Sequence, residues 1–410
     1  MIAAMEHGQA GILVVGGGLV GTSVALALDR AGVACTLVEA RTPTLALADP
    51  DRERYLALAQ ATIHGLEALG VWPILAPHAA PIRAVHASRR GDFGRALLRA
   101  CDHGVAQFGA LVPATRLGLA LEAALAQARH VRRVMPAEVV DVDLAGGAAL
   151  LRIRDAQGVR EVTADVIVGA DGTESWLRGR LGLPVEREDY GQDALVLSAA
   201  VSRDHEGVAY ERFLDDGAIA VLPLAERRVA LVWTLSRAQA DRIAALDDGA
   251  RLDAMQEVFG QRLGRLHAPG RLFRYPLRRV YAPRTVAGRA VLVGNAAQSL
   301  HPIAAQGFNL GFRDALVLVE ELLTAQDGGD PQQALLRYQQ RRQPDRRRIA
   351  GLSGFLARWP GVRAPGLGLL RSLAFGVLGA SRSLQSSLVL AGMGYAADSP
   401  RLCLPGEAAA

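Results

Sequence analysis

A chain of 410 residues, half of them hydrophobic, is globular rather than disordered and long enough for more than one lobe. Its 46 basic residues are all arginine; without a lysine, Schiff-base and PLP chemistry and a P-loop are excluded, and no RNA-binding signature or recognition helix accompanies the net charge of +5. Cys35, Cys101 and Cys403 lie far apart with no C-x-x-C pair, which fits a reduced compartment and speaks against a metal cluster.

The first informative stretch is an apolar β-type run, Ile12 to Val15, followed by Gly16, Gly18 and Gly21 in the G-x-G-x-x-G pattern. A helical stretch from Thr22 to about Ala31 follows, and a second strand, Thr36 to Val38, ends in Glu39. Gly16 makes the tight turn, Gly18 admits a pyrophosphate to the backbone, and Gly21 lets helix and strand pack closely. Glu39 stands where a carboxylate accepts hydrogen bonds from a ribose. A bare glycine pattern is weak, and a glycine-rich loop of another α/β protein is the competing explanation. The strand–turn–helix–strand–acid context favours a dinucleotide site over Gly16, Gly18, Leu19, Val20 and Gly21, with Glu39 and Ala40.

Val166 to Arg178, VIVGADGTESWLR, runs from a strand into Asp171-Gly172 and then a helical turn with Ser175 and Arg178. Taken singly, such an Asp-Gly is a turn. Four strands are predicted next: Leu195 to Val201, Val208 to Leu214, Ala218 to Leu224 and Val229 to Leu235, joined by hairpin-like turns. They form an antiparallel sheet, either a plain structural one or the wall of a substrate cavity with Tyr210 and Arg212 as its candidate lining. The helical pattern of 239–262 packs on that sheet.

Ala290 to Val293 reads as a buried strand opening into GNAAQSLHPIAAQGFNLGFRDA, with a Pro/Gly turn and then a helix carrying Asp314. The unpaired N–H groups of such a helix start, and the positive end of its dipole, receive anions. His301 is the one candidate general base, against the commoner role of a structural hydrogen bonder. From Arg337 to Arg382 nine further arginines, among them Arg341, Arg342, Arg346 and Arg358, mix with Phe355, Trp359, Leu370 and Phe375 and almost no acid besides Asp345. Two readings stand: a membrane-surface segment, or a helical cap whose arginines face solvent. No signal peptide and no transmembrane run is expected, which points to the cytoplasm, with peripheral attachment at the inner face of the membrane on the first of those readings.

Together the three dinucleotide segments resemble the flavin-dependent aromatic hydroxylases with a single dinucleotide-binding fold. The resemblance covers nearly the whole chain and is closest to the polyprenyl-phenol hydroxylases of ubiquinone biosynthesis, in their methoxyphenol branch. Asn295-Ala296-Ala297-Gln298, His301-Pro302-Ile303, Gly307-Phe308-Asn309 and Glu211-Arg212-Phe213 carry it. It implies FAD, with the Gly16 turn, Glu39 and Ala40 at the ADP half and Asp171-Gly172 near the pyrophosphate. Gly294 and Asn295 would meet the ribityl chain, with Pro302, Ala305, Gln306, Gly307, Phe308, Asn309 and Arg54 near the flavin ring. It further implies NAD(P)H as donor, O₂ as co-substrate, and hydroxylation of a polyprenylated phenol, a 2-polyprenyl-6-methoxyphenol, through a C4a-hydroperoxyflavin.

The implied fold class is α/β: a Rossmann-like FAD-binding domain interleaved with an antiparallel-sheet substrate domain, then a helical C-terminal region. The expected division is 1–75, 100–180 and 278–325 for flavin, 76–99 and 181–277 for substrate, and 326–410 for the helical region. Departures are Asn295 for the more usual Asp, Ala305 for Gly, and GALVPATRL at Gly109 to Leu117. They leave open a reductase or hydroxylase of a soluble aromatic compound, or a weakly active flavin-binding subunit of a quinone-biosynthesis complex. The missing lysine counts against flavin halogenases, which resemble lysine-dependent enzymes.

Overall fold

The computed structural model describes residues 9–42, 54–146, 148–301, 306–325, 328–358 and 367–406. The chain opens with β1 (Gln9–Val15), α1 (Leu19–Arg30) and β2 (Cys35–Val38). Next come β3 (Tyr55–Ala59), β4 (Ala84–Arg89), β5 (Gly109–Pro113) and β6 (Gly158–Gly169). The central strands are β7 (Glu186–Val201), β8 (Val208–Phe213), β9 (Ala218–Pro223) and β10 (Arg228–Ser236). Two helices, α2 (Arg237–Ala244) and α3 (Asp248–Phe259), precede β11 (Phe273–Tyr281) and β12 (Ala290–Leu292). Four helices follow: α4 (Gly307–Leu323), α5 (Pro331–Arg358), α6 (Leu367–Ala380) and α7 (Arg382–Met393).

β12, β6, β1 and β2 lie side by side and parallel, with Val14 between Val168 and Leu37. A parallel sheet covered on both faces needs near-continuous apolar strands, which is how these segments read. On one face α1 and α4 bury Val24, Leu28, Phe312 and Leu316 in a single core. On the other, Leu13 and Ile167 pack against Val139, Leu151 and Ile153 of an antiparallel pair.

The second sheet runs β11–β7–β10–β9–β8–β4. Its predicted four strands pair antiparallel, but β4 joins β8 in parallel. Side chains alternate between faces along each strand. Leu197, Leu231 and Ile219 face α2 and α3, sharing a core with Met255 and Phe259. The inner face meets a small sheet made by β3, β5 and Ala80–Ile82, where Leu222 and Ala230 pack on Leu111. At the β4 edge, α6 and α7 cover the same inner face: Val85 meets Val389 and Met393, and the Phe213 ring lies 6.3 Å from Phe375.

The arginine-rich tail fits neither sequence reading throughout. Arg342 and Arg346 are among the largest fully buried side chains in the protein. Acids from outside the segment neutralise part of it, Asp314 on α4 for Arg342, Glu320 on α4 for Arg341 and Glu188 on β7 for Arg358, while Asp345 and Asp398 within it pair with Arg342 and Arg341. Arg347, Arg348 and Arg382 are exposed, and Trp359 lies outside the described residues. Among the described residues no single helix is long and apolar enough to cross a membrane, though Ser372–Ala380 and Arg382–Met393, bent by 92°, pass the length and composition test together.

Candidate active site

Three sequence-distant segments meet at the C-terminal ends of the parallel strands, the position where open α/β sheets bind ligands. The Gly16 N–H donates to Val38 O at 2.8 Å, Ala170 N–H to Val15 O at 2.8 Å, and Val293 N–H to Gly169 O at 2.9 Å. Gly16 has φ of +102°, and a Cβ there would sit 2.6 Å from Ala170 O; at Gly21 it would sit 1.9 Å from Gly16 O. Both glycines are therefore packing requirements. Gly18 is different: a Cβ there meets nothing within 4 Å, so its openness faces solvent and an incoming group.

Glu39 stands at the rim of this turn. Its carboxylate accepts the Gly17 N–H at 2.6 Å and the Arg41 N–H at 2.8 Å, which fixes its orientation while each oxygen keeps a second lone pair. Ala40 beside it is exposed. Leu19 and Val20 open α1, and a Cβ at Gly294 would come within 3.0 Å of Val20.

In the second segment, Asp171 Oδ2 accepts the Leu177 N–H at 3.0 Å, while its buried Oδ1 has no partner among the described residues. Gly172 has φ of +88°. Ser175 caps the short helix through the Arg178 N–H, and the Arg178 guanidinium ties it to Ala296 O at 2.8 Å and Thr173 O at 2.9 Å. Arg178 is thus a brace between the second and third segments. Asn295, on the turn it braces, is exposed between buried neighbours.

In the third segment, the N–H groups of Gly307, Phe308 and Asn309 open α4 without intrahelical acceptors, and the Leu310 N–H makes the first bond to Gln306 O. Gln306 Oε1 is buried without a partner among the described residues, and the space at Gly307 is open. The Asn309 side chain is engaged elsewhere: Oδ1 accepts the Ala59 N–H and Thr62 Oγ1, and Nδ2 donates to Ala57 O. It staples α4 to β3, so it offers the site its backbone. Pro302 and Ala305 lie outside the described residues. Arg54 sits exposed just before β3.

His301 is buried edge-on to Tyr190, ring centroids 5.0 Å apart, and its carbonyl accepts Ser353 Oγ from α5 at 3.0 Å. Burial pushes its imidazole down to about 4, so it is neutral and a weak base at pH 7.

Tyr210 and Arg212 require a correction. Tyr210 packs 5.4 Å from His86 and 5.4 Å from Phe259 of α3, on the helix-covered face. Arg212 shares that parity, beside buried Ile219. The inner face belongs to Glu211 and Phe213, one residue out of step. The alternation of Ile219, Val221 with Ala220, Leu222 in the next strand held this signal; the polar character of Tyr210 and Arg212 hid it.

Residues 9–352 match the family described as FAD binding domain. The chain is 34% identical over 377 residues to the ubiquinone hydroxylase UbiL of Rhodospirillum rubrum, covering 90% of this chain and 86% of that protein. It is 30% identical to the 3-demethoxyubiquinol 3-hydroxylase of Escherichia coli, covering 82% and 85%. Among solved structures, p-nitrophenol 4-monooxygenase PnpA of Pseudomonas putida superposes with a TM-score of 0.76 at 18% identity, over 96% of this chain and all of that one, a likeness of fold. This chain belongs to the FAD-dependent aromatic-ring hydroxylases, a family of flavoprotein monooxygenases.

Proposed function

We propose that this enzyme hydroxylates the ring of a polyprenylated phenol in ubiquinone biosynthesis, with 2-polyprenyl-6-methoxyphenol as first choice, NAD(P)H as donor and O₂ as co-substrate. The observation that carries the reading is the meeting of the glycine turn, the Asp171 segment and the α4 N-terminus beside an apolar wall. The residues present fit FAD: an open Gly18, a fixed Glu39 carboxylate, an unpartnered Asp171 oxygen and a helix start with no side-chain cap. Gly16, Gly18, Leu19, Val20 and Gly21 hold the pyrophosphate half, Glu39 and Ala40 the ribose, and Asp171, Gly172, Gly294 and Asn295 the middle. Arg54 and the stretch around Gln306 to Asn309, with Pro302 and Ala305, serve the ring end, where helix-start N–H groups stabilise negative charge. Bound FAD, once reduced, supplies the activated oxygen. The chain's own task is to orient the phenol and keep water out.

A cleft of about 300 Å³ between the inner face and the C-terminal helices supports a polyprenyl tail: Ala87, Phe213, Phe355, Leu356, Phe375 and Leu378 line it. Nearby, Leu370, Leu373, Val377, Leu384 and Leu388 are about half exposed on α6 and α7. That surface favours peripheral contact with the membrane where such a substrate resides.

Lipid extracts from cells with and without the gene test the reading by mass spectrometry. Loss of ubiquinone with an accumulated polyprenyl-methoxyphenol is expected, and the accumulated species names the ring carbon. Unchanged quinone would overturn it in favour of a soluble aromatic substrate; lost quinone with no turnover by the purified yellow protein would favour a flavin-binding subunit.

A further inference from the structure

We propose that Glu211 is the polar anchor of the aromatic substrate, its carboxyl taking the phenolic hydroxyl on an otherwise apolar wall. The inference rests on the phenol-hydroxylase reading above. Glu211 lies in the middle of β8, with Ala87 of β4 on one side and Ala220 of β9 on the other. Ala87 and Phe213, on the same face, line the apolar cleft. Glu211 therefore looks onto the space that also receives the tail.

Nothing in the wall satisfies this carboxyl. Among the described residues no hydrogen bond or ion pair engages it, whereas the buried carboxylates of Asp314 and Asp345 are both paired with Arg342. On the inner face of β4, β8 and β9 the other ionisable group is Arg89, whose guanidinium goes to Asp215 at 2.5 Å and Asp92 at 3.5 Å. From the facing elements, β3 brings Tyr55, and Arg358 at the end of α5 is held by Glu188. Uncompensated burial pushes Glu211 up to about 8. At pH 7 the neutral carboxyl is donor and acceptor at once, the same pair of capacities a phenolic hydroxyl offers in return. Ionisation removes the donor.

The test uses FAD-loaded enzyme and a geranyl-substituted phenol in detergent micelles, comparing wild type, Glu211→Leu and Glu211→Gln from pH 6 to pH 9.5. Expected for Glu211→Leu are a KM raised about tenfold, the weight of one substrate hydrogen bond, and more NAD(P)H lost to hydrogen peroxide. Glu211→Gln, which keeps a neutral donor and acceptor, should hold the wild-type KM at pH 7 and lose the KM rise wild type shows above pH 8. FAD absorbance and unfolding midpoint check folding; should the leucine variant not fold, the glutamine pH profile decides. Unchanged KM and coupling in Glu211→Leu, or a KM rise persisting in Glu211→Gln, would overturn the proposal. A wild type that turns over no phenol removes the underlying reading instead, and this anchor with it.

Discussion

Arg342 Nε and Asp314 Oδ1 stand 2.7 Å apart, with side chains 1% and 0% exposed. The pair joins α5 to the helix whose N-terminus forms the candidate flavin site. It continues outward: Arg342 also bonds Asp345 at 2.7 Å, Asp314 accepts from Gln298 at 2.6 Å, and Gln298 accepts from Arg346 at 2.6 Å. Buried charges persist when each has partners on several sides. Here those partners lock α4, α5 and the turn after β12 into one arrangement.

Arg342→Met should therefore destabilise the protein by about 3–5 kcal/mol, because Asp314 is left as an uncompensated buried charge. The double variant Arg342→Met/Asp314→Leu should recover much of that loss. Urea unfolding of the two proteins checks this; equal losses would show that packing, not charge, dominates there.

Gly21→Ala and Gly18→Ala separate packing from cofactor access. At Gly21 the new methyl collides with Gly16 O, so the turn itself must shift and the protein should purify colourless. At Gly18 the methyl meets no protein atom, so the unfolding midpoint of the apoprotein should stay near wild type while FAD affinity falls. The ratio of flavin to protein absorbance, with an FAD titration of apoprotein, measures both.

The buried His301 and the half-buried, desolvated Glu211 give stability opposite pH slopes. His301, held down to about 4, binds its proton later than in the unfolded chain, so stability falls as pH drops from about 6.5 toward 4, by roughly 3 kcal/mol in all. Glu211, pushed up to about 8, keeps its proton longer than the unfolded chain does. Stability therefore falls as pH rises from about 4.5 toward 8, by roughly 1.4 kcal/mol per unit across that window. His301→Gln should flatten the acid limb and Glu211→Gln the alkaline one, read from denaturant midpoints across pH. A neutral-pH activity profile unchanged in His301→Gln would also remove that residue as general base.

If α6 and α7 meet the membrane, replacing Leu373 and Leu384 together by Glu should release the protein from anionic vesicles in co-sedimentation. Both side chains are about half exposed, so the fold should be unaffected. High salt should weaken wild-type binding through Arg382, with the apolar contribution remaining. Equal pelleting of both proteins would sink the contact.

The glycine turn, its strands and Glu39 were legible in the sequence because the glycines, both strands and the acid fall within about thirty residues, the span of one β–α–β unit. The four central strands were legible too, through their alternating apolar runs. Which face each residue takes was not, since a one-residue shift of parity exchanges Tyr210 and Arg212 with Glu211 and Phe213. Nor was the fate of the arginine-rich tail. Arg342 reads as one more charge in a basic run until the chain returns Asp314, 28 residues earlier, to its side. Asn309 reads as a site residue until β3 arrives, 250 residues earlier in the chain, to claim its amide. Sequence by itself determined the local turns and the periodicity that bury one face of each element. Tertiary structure decided which distant partners neutralise a charge or fill a hydrogen bond, because a buried polar group is defined by what packs against it.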